Sequence, residues 1–443
     1  MSTDRAGRAA VAIGVAACMV GVIWASNAVR DAGAGRDGSQ LAALFDDRRL
    51  RSAAGPAERM EQLQQRLRVA DGDPGAWAAL AAAYLDQARR TADPRWYPKA
   101  EESLDRALGL APGNVAGLVG RSALAAARHD FEAALDWAER AGTVAPGDPA
   151  VLGVLGDALI ELGRYPEAFE TYQAMVDRRP DLASYARVAY ARELQGDLDG
   201  AEAAFREAQR AASNPADDAF TRYHLGELAW NRGQVDLAVD HYRQASRLDP
   251  DFVPAAAALA RAALAQGRAD EAIEGYRAVV ERTPLPVYVA ELGDLHARAG
   301  RPDLAAEQYE LVAVQEALAQ ANGVNTSLEA ALFSADHRVR LDDGLAGARR
   351  EWSRRRSIFV ADALAWQLHV HGRHAEAFAL ADQALALGTR NPSFLYHRSK
   401  ILDALGRGAE ARRDLEAAVA LNPHFSILFG PAARGAITAG APG

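Results

Sequence analysis

Three of the chain's ten histidines fall within six residues, in the run His369-Val-His371-Gly-Arg-His374. Imidazoles this close together could coordinate zinc, nickel or copper if their rings converged. The run sits at the end of one helical segment and crosses a glycine at Gly372, which would aim the rings apart. Only Glu376 stands within a turn to complete a ligand set. The competing reading is a polar corner on the surface. A metal-handling accessory protein using His369, His371 and His374 is therefore the alternative function, and the principal reading needs no metal and no other cofactor.

Other reacting constellations are missing from the sequence. Gly33-Ala34-Gly35 neither follows a strand nor opens a helix, so it does not have the context of a phosphate-cradling loop. There is no H-E-x-x-H and no G-x-S-x-G. Asp and Glu recur at helical spacing, as on solvated faces. We expect a binding protein rather than an enzyme, with no small-molecule substrate. The 50 basic and 59 acidic residues give a net charge of −9, with no basic stripe to neutralise phosphates, so nucleic acid is not an expected partner. Cys18 is the only cysteine and permits no intramolecular disulfide.

The elements that would carry any binding surface repeat along the chain. A small residue recurs at Ala100, Ala134, Ala168, Ala201, Ala238, Ala272, Ala305, Gly344, Ala377 and Ala411, with gaps of 34, 34, 33, 37, 34, 33, 39, 33 and 34 residues. Four residues after it comes a large packing side chain in the middle units: Tyr172, Phe205, Tyr242, Tyr276 and Tyr309. Five residues before it a glycine recurs at positions 163, 196, 233, 267, 300, 372 and 406. Each type has a mechanical reason. Alanine lets two helices approach closely, glycine accepts the left-handed conformation at a helix C-terminus, and the recurrent proline twelve residues on cannot continue a helix.

The first unit, Trp77-x-x-Leu80-Ala81-x-x-Tyr84, then Ala100-x-x-x-Leu104 and Pro112, resembles the tetratricopeptide repeat, with a short insertion at Arg89 to Arg95. The resemblance spans roughly residues 57–425. It implies an all-α fold, an α-solenoid coiled as a right-handed superhelix of about ten helix-turn-helix repeats. We expect a capping helix over 57–72, the solenoid over 73–425 and a disordered tail over 426–443. Gly344 departs from the alanine ladder. The second helix of the seventh repeat should run past its usual end, because proline is absent at Ala317.

The resemblance also implies a function. Stacked tetratricopeptide repeats line a concave groove with their first helices and hold a peptide or protein partner there. Carried onto this chain, the groove positions are Asp157, Tyr190, Glu193, Phe220, Tyr223, Glu227, Trp230, Arg261, Asp294, Asp362, Trp366, His369, Tyr396 and Lys400. The middle of this set is aromatic and acidic, which suits a ligand carrying Arg or Lys. The competing reading is that Tyr223 and Trp230 simply pack between neighbouring repeats.

Ahead of the repeats, Arg5 and Arg8 precede an apolar run from Ala9 to Ala25, followed by Ser26-Asn27-Ala28. Residues 1–28 have the order of an export signal or transmembrane anchor, followed by a flexible linker over 29–56. Three outcomes stay open: a retained anchor, cleavage after Ala28, and lipidation at Cys18. In the first two the repeats would lie outside the cytoplasm, membrane-anchored or secreted.

Overall fold

The computed structural model describes residues 56–439. Among them it is all helical, with helices following one another at the spacing of the alanine ladder. A lone helix, α1 (Pro56–Val69), precedes ten helix pairs. These are α2 (Pro74–Thr91) with α3 (Tyr97–Leu110), α4 (Val115–Ala127) with α5 (Phe131–Val144), and α6 (Pro149–Leu162) with α7 (Tyr165–Arg178). Next come α8 (Leu182–Leu194) with α9 (Leu198–Arg210), α10 (Pro215–Asn231) with α11 (Val235–Leu248), and α12 (Val253–Ala265) with α13 (Ala269–Arg282). The array continues with α14 (Pro286–Arg298) and α15 (Pro302–Ala321), α16 (Ser327–His337) and α17 (Leu341–Arg354), then α18 (Ile358–Val370) and α19 (His374–Ala384). The last pair is α20 (Pro392–Ala404) and α21 (Gly408–Leu421), and α22 (Gly430–Ala439) closes the described chain. The fold is an all-α solenoid.

Local chemistry sets these boundaries. Asp148 caps α6 by accepting from the Ala150 amide at 2.8 Å, with proline at the first helical position. Gly163 ends the same helix at φ +81, and all seven recurrent turn glycines have φ between +68 and +82. In the second repeat this position belongs to His129, at φ +58. The left-handed backbone costs a non-glycine residue about 1 kcal/mol. The His129 ring stacks on Phe131 with centroids 5.8 Å apart, and its Nδ1 lies 2.9 Å from the Asn325 carbonyl, contacts that offset the strain.

The alanine ladder is the seam between the two helices of each repeat. Ala100, Ala134, Ala168, Ala201, Ala238, Ala272 and Ala377 are fully excluded from solvent. Gly344 has a specific reason to lack a Cβ, since one would strike Ser334 Oγ and the Gln367 amide. Tyr172, Tyr242 and Tyr309 press against Gly156, Gly226 and Gly293 of the first helices, where any side chain would collide with the ring.

The chain divides into two compact units. The first contains the described residues through Ser184 together with Arg282–Val287 and Ala313–Thr326. Here α1 covers the start of the array, burying Met60 and Leu67 beside Leu80 and Tyr84. The seventh repeat's second helix does run on, to 20 residues. The connection after it returns to the second repeat, where the Asn325 amide donates to the Arg128 carbonyl at 2.9 Å.

The second unit contains Tyr185–Glu281, Tyr288–Val312 and Ser327 to the end of the chain. In it, the Thr389 hydroxyl donates to the Leu194 carbonyl, and Gly196 packs against the Gly388 carbonyl. Gly233 meets the Leu421 carbonyl. The expected disorder over 426–443 is corrected for Gly430–Ala439, which forms a helix. Its Ala433 is buried in a cluster with Trp366, Tyr396 and Ala418, against which Phe425 and Phe429 pack. Apolar burial of these two phenylalanines accounts for the order.

The expected signal or anchor (1–28) and the linker as far as residue 55 lie outside the described residues, as do residues 440–443. Among the described residues, no helix is long and apolar enough to cross a membrane.

Candidate partner-binding face

In the first unit, Asp157 follows the Leu155-Gly156 pair on α6 and accepts from the Tyr172 hydroxyl at 2.9 Å. It is 7% exposed, so its carboxylate faces the repeat seam and not an open groove.

The other sequence-derived positions lie in the second unit, and several of them meet. The Glu227 carboxylate of α10 accepts from the Tyr242 hydroxyl at 2.5 Å and from Arg261 Nη2 at 2.6 Å. The Arg261 guanidinium lies 4.4 Å over the Trp230 ring, a cation–π contact that holds it beside the carboxylate. Tyr223 stands edge-on to Phe252 at 5.4 Å and 6.0 Å from Tyr242. Trp230 and Tyr223 are 4% and 9% exposed and belong to a buried cluster with Tyr242 and Ala258.

Tyr190, Glu193, Glu227 and Arg261 keep intermediate exposure. Glu193 accepts from Asn231 Nδ2 at 2.9 Å. Burial pushes its carboxyl up to about 7; the Asn231 hydrogen bond opposes the shift and the Glu227 charge adds to it. Glu291, absent from the sequence-derived set, behaves alike. Burial raises it to about 7, against the pull of Arg261 and a hydrogen bond from Tyr276, while Asp294 and Glu227 repel its charge. Its signal was weak: it stands one residue before the Leu292-Gly293 pair. The result is a half-buried face on which Arg261 acts on both Glu227 and Glu291.

Asp294 is 8% exposed and accepts from the Tyr309 hydroxyl at 2.9 Å, with His337 Nε2 at 2.8 Å. Trp366 is 5% exposed and donates through Nε1 to Asp336 at 2.8 Å. Its ring lies between His369 at 5.0 Å and His397 at 4.3 Å, nearly parallel to both. His337, His397 and Asp336 were missed by the sequence reading, since no local pattern sets them apart.

Of the histidine run, His369 and His374 meet with ring centroids 4.9 Å apart, while His371 turns back to its own helix. His369 stacks on Trp366, and burial together with nearby His374 pushes its imidazole down to about 4. His371 Nδ1 meets the Gln367 carbonyl of its own helix at 2.7 Å. Among the described residues, no group of three or more His, Cys, Asp or Glu side chains is placed to hold a metal ion.

With this geometry in hand, the class is an all-α helical-repeat solenoid. A tetratricopeptide-repeat family model matches residues 123–194 and 229–292, which supports the tetratricopeptide repeat as its unit. Several solved structures are similar. A thermophilic TPR protein from Thermus thermophilus is 29% identical, over 40% of this chain and 92% of that one, with a TM-score of 0.33. YrrB, described as a TPR protein with an unusual peptide-binding site, is 18% identical over 44% of this chain and 96% of that one, with a TM-score of 0.28. The human IFIT1 dimer with PPP-AAAA is 13% identical over 92% of this chain and 96% of that one, with a TM-score of 0.46. No curated protein matches the chain.

Proposed function

We propose that this chain is a protein-interaction scaffold that holds a cationic peptide segment of its partner against Tyr190, Glu193 and the Glu227–Arg261 pair. The supporting observation is the crowding of carboxyl groups there. Glu193 and Glu291 share their surroundings with Glu227 and Asp294, while Arg261 is the cation acting on Glu227 and Glu291. Carboxylates raised by burial gain most when a lysine or arginine arrives, because the incoming charge removes the cost of ionising them. Partly exposed Tyr190 adds contact area with few rotors to freeze.

The reading is of binding without catalysis. We further propose that the apolar run Ala9–Ala25 tethers or exports the repeats, placing them outside the cytoplasm. Protease shaving of intact cells tests that placement, since repeats that survive shaving but are cut after lysis lie inside.

The binding test is fluorescence anisotropy with a lysine- and arginine-rich peptide and a composition-matched acidic peptide. Wild type should bind the basic peptide, and Glu193→Gln should weaken it roughly tenfold without lowering the unfolding midpoint, the loss of a charge-assisted contact being about 1.4 kcal/mol or more. Equal affinity for both peptides, or no effect of Glu193→Gln, refutes this face as the working surface.

A further inference from the structure

Four consecutive repeats of the second unit bring acids and imidazoles together out of the sequence's sight. Asp294 on α14 pairs with His337 on α16 at 2.8 Å. Its neighbour Asp336 accepts from Trp366 Nε1 of α18 at 2.8 Å. The Trp366 ring stacks 4.3 Å from His397 of α20, and the His397 Nδ1 lies 3.0 Å from both oxygens of Asp362, back on α18. The charge of Asp336 acts on both imidazoles. The order Asp294, His337, Asp336, His397, Asp362 therefore alternates acid and base through the first helices of repeats seven to ten.

We propose that this alternating ladder is a pH-sensitive fastener: it locks repeats seven to ten together while both imidazoles are protonated, and loosens them when the protons leave. The charges explain why. With His337 and His397 charged, the five groups carry a net −1; with both neutral, three carboxylates carry −3 in surroundings where His397, Asp362 and Asp294 are all under 10% exposed. Like charges with no cation between them are costly at low effective dielectric.

The surrounding groups favour the charged imidazoles. Around His337 stand Asp294, the Tyr309 hydroxyl, the Phe333 carbonyl and Asp336. Around His397 stand Asp362, Asp336, Tyr396 and, beyond Trp366, His369. Burial alone would lower both histidines, but the carboxylates prevail and both lie above their usual value. His369 stays neutral over the relevant range, with Arg338 and Lys400 on its side adding positive charge. A histidine raised in the folded state gives stability that is complete below the unfolded value near 6.5 and fades as pH rises through the folded one.

The test is amide hydrogen exchange of the full chain from pH 5.5 to 8.5, corrected for the intrinsic rate. Ser327–Ala404 should lose roughly tenfold in protection across that range. Residues 115–178 serve as the reference and should stay within about threefold. The His337→Gln/His397→Gln variant keeps neutral hydrogen bonding and should lack the difference. An equal change in both regions, or a variant with the wild-type slope, overturns the proposal. Should the variant fail to fold, nitrogen-15 histidine spectra of the wild type decide. Charged imidazoles at pH 6 that are neutral by pH 8.5 support the fastener, and neutral ones at pH 6 in the intact fold sink it.

Discussion

The Tyr242 hydroxyl donates to the Glu227 carboxylate fifteen residues behind it, at 2.5 Å. The same separation joins Tyr172 to Asp157 and Tyr309 to Asp294. In each case the glycine before the acid receives the tyrosine ring, and the acid receives its hydroxyl. The tripeptide Leu-Gly-acid, followed by a tyrosine sixteen residues after the glycine, is thus a single packing device. The ring fills the gap, and the phenol's polar end finds an acceptor within the seam.

Tyr172→Phe should cost about 1 kcal/mol, the net worth of one hydrogen bond to a buried carboxylate that loses a donor. Gly156→Ala should cost more, about 2–3 kcal/mol, because the added Cβ displaces the ring and overpacks the seam. Urea midpoints of the two variants check the order.

Glu227 and Glu193 should separate cleanly. Glu227→Ala leaves the partly buried Arg261 guanidinium without its carboxylate partner and should destabilise the chain by roughly 3 kcal/mol, the lower end for a broken buried pair. Glu193→Gln keeps the geometry around Asn231 and should leave stability at neutral pH unchanged or slightly raised. Thermal melts at pH 7.5 distinguish them, and a comparable loss in both would make Glu193 structural too.

Glu291 sets a pH window. Its folded carboxyl lies at about 7, above its usual value of 4.5, so the native state binds its proton more tightly than the unfolded chain does. Its contribution to stability is therefore greatest below about 4.5 and falls as pH rises through about 7. The melting temperature of Glu291→Gln relative to wild type should rise between pH 5 and pH 8. A relative melting temperature that stays flat or falls counts against the raised carboxyl.

Gly344→Ala restores the ladder's usual residue yet should destabilise by about 1–3 kcal/mol, since Ser334 and Gln367 fill the space. Gly267→Ala meets nothing within 4 Å and should cost only the left-handed strain, about 1 kcal/mol. Chemical denaturation of both variants checks the contrast.

Much of this fold was legible because its information is periodic. Alanines near every 34th residue, and glycines five before them, report a seam and a turn that each repeat must rebuild. The tail was misjudged because Phe425 and Phe429 acquire their value only from Trp366 and Tyr396, residues of other repeats. The groove was harder still. An aromatic or acidic side chain at a first-helix position serves a partner or the next repeat with the same chemistry, and only burial separates Trp230 from Tyr190. His337 and His397 stand 60 residues apart, so no window on the sequence could have paired them with a common carboxylate.

The long-range turn contacts bear on how this protein could have changed in size. His129 meets Asn325 at a separation of 196 residues, and Thr389 meets Leu194 at 195. Both contacts need a fixed number of repeats between their ends. Duplicating or deleting one 34-residue unit inside either interval would carry the partner a whole repeat out of phase, leaving the Leu194 and Asn325 carbonyls facing the wrong loops. Units gained or lost by unequal recombination would leave both contacts intact only beyond those anchored stretches. Within those stretches, repeat number should pass on as an inherited constant.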